Sequence, residues 1–299
     1  MSHLTEYLYG DTVSSSHHQL HLLPRTVAHQ INRWEELSVD PMPTRKQDRV
    51  DYFGNRATHL EIQEPHRRLA VLSRSEIELI PEAAVAAPAP ATTPPWEAVR
   101  EQLRQARAGD QIEAYEFTFP SPYVPLSPGI AEFAGRSFER GRPIADAAVD
   151  LMHRIHAEFV YDATATNVST PVDDVLAHRR GVCQDFAHLT LSCLRTLGLP
   201  GRYVSGYLVT AIAGQPRLVG ADASHAWVQC FCPGVGWLDL DPTNDVVPTD
   251  KHITVAYGRD FGDVTPLRGV ILGGGRHDLR VVVDVAPLGV DAGPFDGSG

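Results

Sequence analysis

Residues 81–95, Pro-Glu-Ala-Ala-Val-Ala-Ala-Pro-Ala-Pro-Ala-Thr-Thr-Pro-Pro, divide the chain into two parts that obey different hydrophobic periods. Proline removes backbone donors and favours extended backbone, so this stretch reads as a semi-rigid linker. Ahead of it, polarity alternates with a period of two. Gln19-Leu20-His21-Leu22, His59-Leu60-Glu61-Ile62-Gln63, Leu69-Ala70-Val71-Leu72 and Ile77-Glu78-Leu79-Ile80 all fit, with turn signals at Asp40-Pro41 and Asp51-Tyr52-Phe53-Gly54-Asn55. Short strands at this spacing predict an antiparallel β-sandwich over residues 1–80.

Behind the linker the period lengthens to that of a helix. Residues 96–108, 128–140 and 144–159 read as helices. The last is the clearest, because Ala148, Leu151, Met152, Ile155 and Phe159 recur at three- and four-residue steps. A shorter helix is expected after Thr170-Pro171, with Thr as cap and Pro at the first helical position. The next helix opens at Gly181-Val182-Cys183 and runs to Leu197, with Phe186, Leu189, Thr190, Cys193 and Leu197 as its buried stripe and Gly198 as its stop. Strands follow at residues 202–209, 224–231, 236–240 and 279–285. Helices first and antiparallel strands afterwards define an α+β core, assigned to residues 96–290 and followed by a Gly/Asp-rich flexible tail at 291–299. No internal repeat is visible.

The chain has 299 residues and a formal net charge of −11. That balance disfavours duplex nucleic acid and anionic membranes as partners, since basic clusters such as His178-Arg179-Arg180 are too short for a nucleic-acid footprint. No run of about 18 apolar residues would span a bilayer, and the N-terminus lacks a basic region followed by an apolar one. The cytoplasm is the default expectation. Four cysteines, Cys183, Cys193, Cys230 and Cys232, are sparse for a disulfide framework and are expected as free thiols.

Cys183 stands where a thiol should react. Gly181-Val182 permits close backbone approach, and the helix that follows aims free N–H groups and its positive dipole end at the sulfur. Cys193 is the internal contrast, since it lies on the apolar stripe. His225, Trp227 and Gln229 share one strand face; Ala226, Val228 and Cys230 share the other. Asp239 and Asp241 likewise project to one face of Gly236-Trp237-Leu238-Asp239-Leu240-Asp241. A zinc site from Cys183, His225, Cys230 and Cys232 is disfavoured, because one residue between two cysteines is shorter than structural zinc spacing. No metal or cofactor is expected.

The segments "GVCQDFAHL", "SHAWVQ" and "GWLDLDPTN", in that order, resemble the core of the bacterial transglutaminase-like superfamily, including its cysteine proteases. "RYVSGYL" is similar to the strand that follows the nucleophile helix there. "LHLLPR" and "DYFGNRATHLEIQEPH" resemble the β domain that accompanies this core. The resemblance implies a papain-like/transglutaminase-like fold with Cys183, His225 and Asp241 as the catalytic residues; in general triad chemistry they are nucleophile, base and the carboxylate that accepts the histidine's Nδ1–H. Gln229 departs from the family, which often carries Glu there, and is expected to alter the electrostatics near His225. Asp185 is read as a helix cap. The backbone N–H of Cys183 is one oxyanion donor, with Tyr161, Asn167 and Gln184 as candidates for the second, and Trp227 and Trp237 as walls of the cleft.

Such a triad performs acyl transfer at amide bonds through a thioester. Water as acceptor gives peptide or amide hydrolysis; an amine as acceptor gives transglutaminase-type amide formation. A non-catalytic binding module is the reading from a different class. The expected partner is a peptide or amide-containing substrate, and oligomeric state is left open.

Overall fold

The computed structural model describes residues 1–107, 109–166, 170–209, 218–220 and 223–288. The N-terminal part contains five strands: β1 (Ser2–Leu20), β2 (Gln30–Asp40), β3 (Arg45–Val50), β4 (Arg56–Ile62) and β5 (His66–Leu79). β1 is 19 residues long and organises the unit. Its first half pairs with β5 and its second half with β4. The register with β5 breaks between Leu8 and Val13, so the strand bends and the sheet curls over itself. Leu69 and Val71 of β5 consequently meet Leu60 and Ile62 of β4 in one cluster with Val13, Leu20 and Leu22. The expected short strands are thus segments of longer ones.

Among the described residues, seven α-helices and the remaining strands follow: α1 (Trp96–Arg104), α2 (Asp110–Glu116), α3 (Pro128–Gly135), α4 (Ile144–Glu158), β6 (Val160–Tyr161), α5 (Val172–His178), β7 (Arg180–Gly181), α6 (Cys183–Thr196), β8 (Gly201–Leu208), β9 (His225–Cys232), β10 (Gly236–Leu240), β11 (His252–Gly258), α7 (Phe261–Val264), β12 (Leu267–Gly273) and β13 (His277–Asp284). The amphipathic face expected of α4 is buried from Ile144 to Ile155. Residues 96–108 do not form one helix; α1 stops at Arg104 and a separate α2 follows Gly109. α5 begins one residue later than expected, with Pro171 as its cap position. No helix among the described residues is long and apolar enough to cross a membrane. The expected tail at 291–299 lies outside the described residues.

The core sheet is antiparallel in the order β10-β9-β8-β11. α6 packs on β8 and β9, and α3, α4 and α5 surround it. α6 carries more than the expected stripe, being buried on every side from Asp185 to Arg195. Thr190 donates to the Phe186 carbonyl, and Arg195 donates to the carbonyls of Phe117, Gly201 and Arg259, whereas the Ser192 and Thr196 hydroxyls have no partner among the described residues. β8, β9 and β11 are also buried along their whole lengths. β11 escapes a period-two reading for that reason.

Two features tie the β unit to the core. β12 and β13, which the sequence places within residues 96–290, pair with β1 and complete its sheet. The β unit is therefore one curled seven-stranded sheet, and it is not contiguous in sequence. In addition, the free edge of β11 is capped by two side-chain amides. Gln30 donates to the Thr254 carbonyl and accepts its N–H, both at 2.8 Å. Asn55 donates to the Tyr257 carbonyl at 2.7 Å and accepts its N–H at 2.8 Å. Each amide imitates one rung of a β ladder, and both are fully buried.

Asn55→Ala would take away the side-chain partners of the buried Tyr257 N–H and C=O, and Gln30→Ala would take away that of the Thr254 N–H and leave its carbonyl only the Arg25 N–H at 3.4 Å. Each substitution is expected to lower stability by about 2–4 kcal/mol, read as a shift of the urea unfolding midpoint at constant slope.

Candidate active site

The thiol is presented by a constrained approach to α6. β7 pairs in parallel with β6, Val182 is extended (φ −111°, ψ 178°), and Cys183 is the first helical residue. The Asp185 carboxylate turns back to accept the Val182 N–H at 2.8 Å and the Thr166 hydroxyl at 2.6 Å. This is the capping role expected of Asp185. Its carboxylate occupies the space where a side chain at Gly181 would go; a Cβ there would lie 2.7 Å from Asp185 Oδ2. Burial raises the Asp185 pKa, although the bonds from Thr166 and Val182 oppose this. Cys183 is half-buried, whereas Cys193, Cys230 and Cys232 are buried, and all four are free thiols. Burial pushes the Cys193 thiol up to about 12, which makes it inert at neutral pH.

His225 opens β9, and Asp241 follows directly on β10. His225 Nε2 donates to Asp241 Oδ2 at 2.8 Å, with both side chains buried. The expectation that Asp241 binds Nδ1 is corrected. Leu240 pairs with Val228, so Asp241 lies diagonal to His225 rather than opposite it. The longer diagonal requires the distal ring nitrogen. Nδ1, on the side of Gly220, has no hydrogen-bond partner among the described residues. Burial disfavours a charge on His225. The Asp241 carboxylate and then the Cys183 sulfur overcome it and push the imidazole up to about 10. Because Nε2 is committed to Asp241, Nδ1 is the nitrogen available to Cys183.

Asp241 is a saturated acceptor. Oδ1 receives the backbone N–H groups of Thr243 (2.9 Å) and Asn244 (3.2 Å). Oδ2 receives His225, the Asn244 amide (2.8 Å) and His252 Nε2 (2.9 Å). Burial alone would raise this carboxyl group, but His225 and His252 hold it far below the usual carboxylate range.

Asp239, two residues earlier, has other partners. It accepts Trp227 Nε1 at 2.7 Å and Gln229 Nε2 at 2.8 Å, and burial raises its pKa. Gln229 also accepts Arg202 Nε at 2.6 Å. It therefore bridges a cation and a carboxylate, which an ionised Glu could not do by donation. Its partners are Arg202 and Asp239, not His225.

The structure separates the remaining candidates. Tyr161 pairs with Gly181, two residues before the thiol, and its phenol is raised by burial and then by the charges of Cys183 and Asp185. Gln184, second in α6, is half-buried. Trp227 is fully buried and stacks on His225, with centroids 6.1 Å apart and rings 24° from parallel. It supports the imidazole ring and does not line an open cleft. Trp237 is corrected as well. It pairs with Phe231 and packs on Phe117 and Arg202. Six residues of strand separate that position from His225, roughly 20 Å. Asn167 lies outside the described residues. His252 and Asn244 are the residues that sequence reasoning missed. His252 belongs to no motif, and only the sheet register brings it to Asp241.

Among the described residues, His225, Asp241 and His252 form one group whose donor atoms all lie within 4.8 Å of one another. That spacing would allow a cation. The carboxylate between the rings already accepts both N–H groups, so shared protons account for the arrangement. Cys230 and Cys232 are buried on the opposite face of β9, with Cys232 Sγ 3.8 Å from the Cys230 carbonyl.

Residues 132–242 match the transglutaminase-like superfamily and residues 1–78 match the bacterial transglutaminase-like N-terminal region. An uncharacterized protein of Mycobacterium tuberculosis is 37% identical over 302 residues, covering 99% of this chain and 93% of that protein. A Pseudomonas aeruginosa protein-glutamine gamma-glutamyltransferase is 34% identical over 128 residues, which span 36% of this chain and 19% of that enzyme. Among solved structures, a candidate cysteine protease from Cytophaga hutchinsonii superimposes with a TM-score of 0.71 at 21% identity, covering 98% of this chain and 92% of that one. A β unit closed around a bent first strand, a cysteine-headed helix and a His–Asp pair across neighbouring strands thus occur in a chain that belongs to the bacterial transglutaminase-like superfamily.

Proposed function

We propose that this protein is a cysteine-dependent enzyme that cleaves amide bonds by acyl transfer, with Cys183, His225 and Asp241 as its triad. One observation carries the reading. Among the described residues, the half-buried thiol at the head of a helix is the one beside a histidine whose other nitrogen is bound to a buried carboxylate.

The chemistry follows from the charges. His225 holds its proton at neutral pH, so the imidazolium stabilises a Cys183 thiolate. The thiolate attacks the amide carbonyl carbon. The oxyanion is received by the Cys183 backbone N–H, with the Tyr161 phenol as second donor, since its raised pKa keeps it protonated. Collapse breaks the C–N bond, and the departing amine takes the proton from His225 Nδ1. Water then attacks the thioester carbon, gives a proton to Nδ1, and releases the carboxylic acid and the thiolate. Asp241 keeps the ring oriented and its charge compensated throughout.

Transfer to an amine in place of water is the second reading, favoured by the likeness to the Pseudomonas aeruginosa transferase. Assays with and without an added primary amine separate the two. Amide product formed at the expense of acid supports transfer; an unchanged acid yield supports hydrolysis.

Cys183→Ala is expected to abolish amide turnover, and iodoacetamide is expected to label Cys183 before the three buried thiols. Full activity in the alanine variant would sink the triad. Asp241→Asn should lower kcat by about 10³–10⁴-fold by analogy with triads that lose their carboxylate.

The pH dependence has a definite sign. The folded imidazole titrates near 10 against an ordinary value of 6.5. The His225 pairing therefore stabilises the fold fully below 6.5 and is lost as pH rises through about 10. Asp241 contributes above its ordinary 3.8, and that contribution is lost as pH falls below the usual carboxylate range. The alkaline limb of kcat/KM should lie near 10 in the native enzyme and move toward neutrality in Asp241→Asn.

A further inference from the structure

We propose that His252 is a positioning residue of the reaction, a fourth member that acts on Cys183 chemistry through Asp241. The inference rests on the acyl-transfer reading above.

His252 reaches the site from the far edge of the core sheet. It begins β11, opposite Leu208 of β8, while His225 lies opposite Gly206 of the same strand. The two imidazoles approach from different strands, with centroids 6.0 Å apart, and converge on one oxygen. Gly206 makes this possible. A Cβ there would overlap the Ile253 carbonyl oxygen and lie 2.5 Å from Trp227 Cη2. Without it, Trp227 lies across β8 and meets His252 edge to face at 5.1 Å. β11 is itself anchored at its other edge by the Gln30 and Asn55 amides, so His252 is offered from a fixed strand.

A packing role does not explain this side chain. Among the described residues its Nδ1 is buried without a partner, an arrangement that costs stability wherever it occurs. A residue retained for packing alone would be better as a hydrocarbon. His252 is useful through its Nε2–H, and that group is spent on the oxygen that also binds His225. With Oδ1 held by two backbone N–H groups and Oδ2 by Asn244 and His252, the carboxylate cannot turn away when the imidazole moves its proton. The His252 donor also takes up part of the negative charge on Oδ2. It thereby limits how tightly Asp241 holds the His225 imidazolium, which must release a proton to the leaving amine. Asp241 thus orients His225, and His252 orients and moderates Asp241.

Only the N–H is required, so an amide of suitable reach should substitute for the imidazole. The test compares His252→Leu, which fills space without donating, with His252→Gln, whose amide can reach Asp241, and His252→Asn, whose shorter amide cannot. The rate of Cys183 alkylation by iodoacetamide needs no knowledge of the substrate and is measured first, with amide turnover beside it. His252→Leu is expected to slow alkylation and lower kcat by about 10–100-fold, the loss of one charge-assisted hydrogen bond. His252→Gln should recover to within about threefold of wild type, because it restores the donor. The low-field N–H proton resonance of His225 should shift in the Leu variant and return in the Gln variant, which a packing role would not produce.

Equal rates in His252→Leu and wild type, with far-ultraviolet circular dichroism unchanged, overturn the proposal. If the Leu variant does not fold, Gln against Asn decides, and equal rates for those two overturn it. The two readings fail differently. Turnover that survives Cys183→Ala removes the proposed function. Turnover lost in Cys183→Ala but intact in His252→Leu removes only the role of His252.

Discussion

The buried carboxylate of Asp241 is the constraint around which this end of the molecule is built. An ionised carboxylate removed from water costs several kcal/mol unless it is paired and hydrogen-bonded. Here five donors converge on it, from the turn after β10, from β9 and from β11. The β9–β10 pair and the edge strand β11, with β8 between them, are thus joined by one charge. The same charge lifts His225 and is in turn held low by it, so one interaction serves both structure and proton transfer.

Asp239 shows that residue type alone does not assign such a role. Both aspartates are buried, and they lie two positions apart on one face. Asp239 receives an indole and an amide N–H, neither of which can exchange a proton near neutral pH. Its work is to hold Trp227, whose ring stacks against His225, and Gln229, which carries Arg202. Environment sets the difference: two histidines make one carboxylate a charge partner, and two neutral donors make the other a scaffold.

The β unit also bears on the site. Through Gln30 and Asn55 it replaces the missing neighbour strand of β11, and β12 and β13 return from the C-terminal side of the core to complete its sheet. His3 adds a 2.6 Å hydrogen bond to the Tyr207 hydroxyl on β8. The β unit therefore fixes the strand that delivers His252, and the core supplies two strands of the β unit.

What could be read from the sequence is what local chemistry dictates. The amphipathic α4, the thiol at the head of α6 and the Asp185 cap follow from helical period and capping geometry, neither of which needs a distant partner. The motifs around Cys183, His225 and Asp241 carried the family. Only the tertiary structure decided the rest. β11, buried on both faces, has no alternation to reveal it, and β12 and β13 pair with a strand more than 240 residues away. The choice between Asp239 and Asp241, the use of Nε2 rather than Nδ1, the removal of Trp237 from the site and the arrival of His252 all depend on strand register. Register is set by long-range pairing, and a period of two in sequence cannot specify which residue of another strand stands opposite.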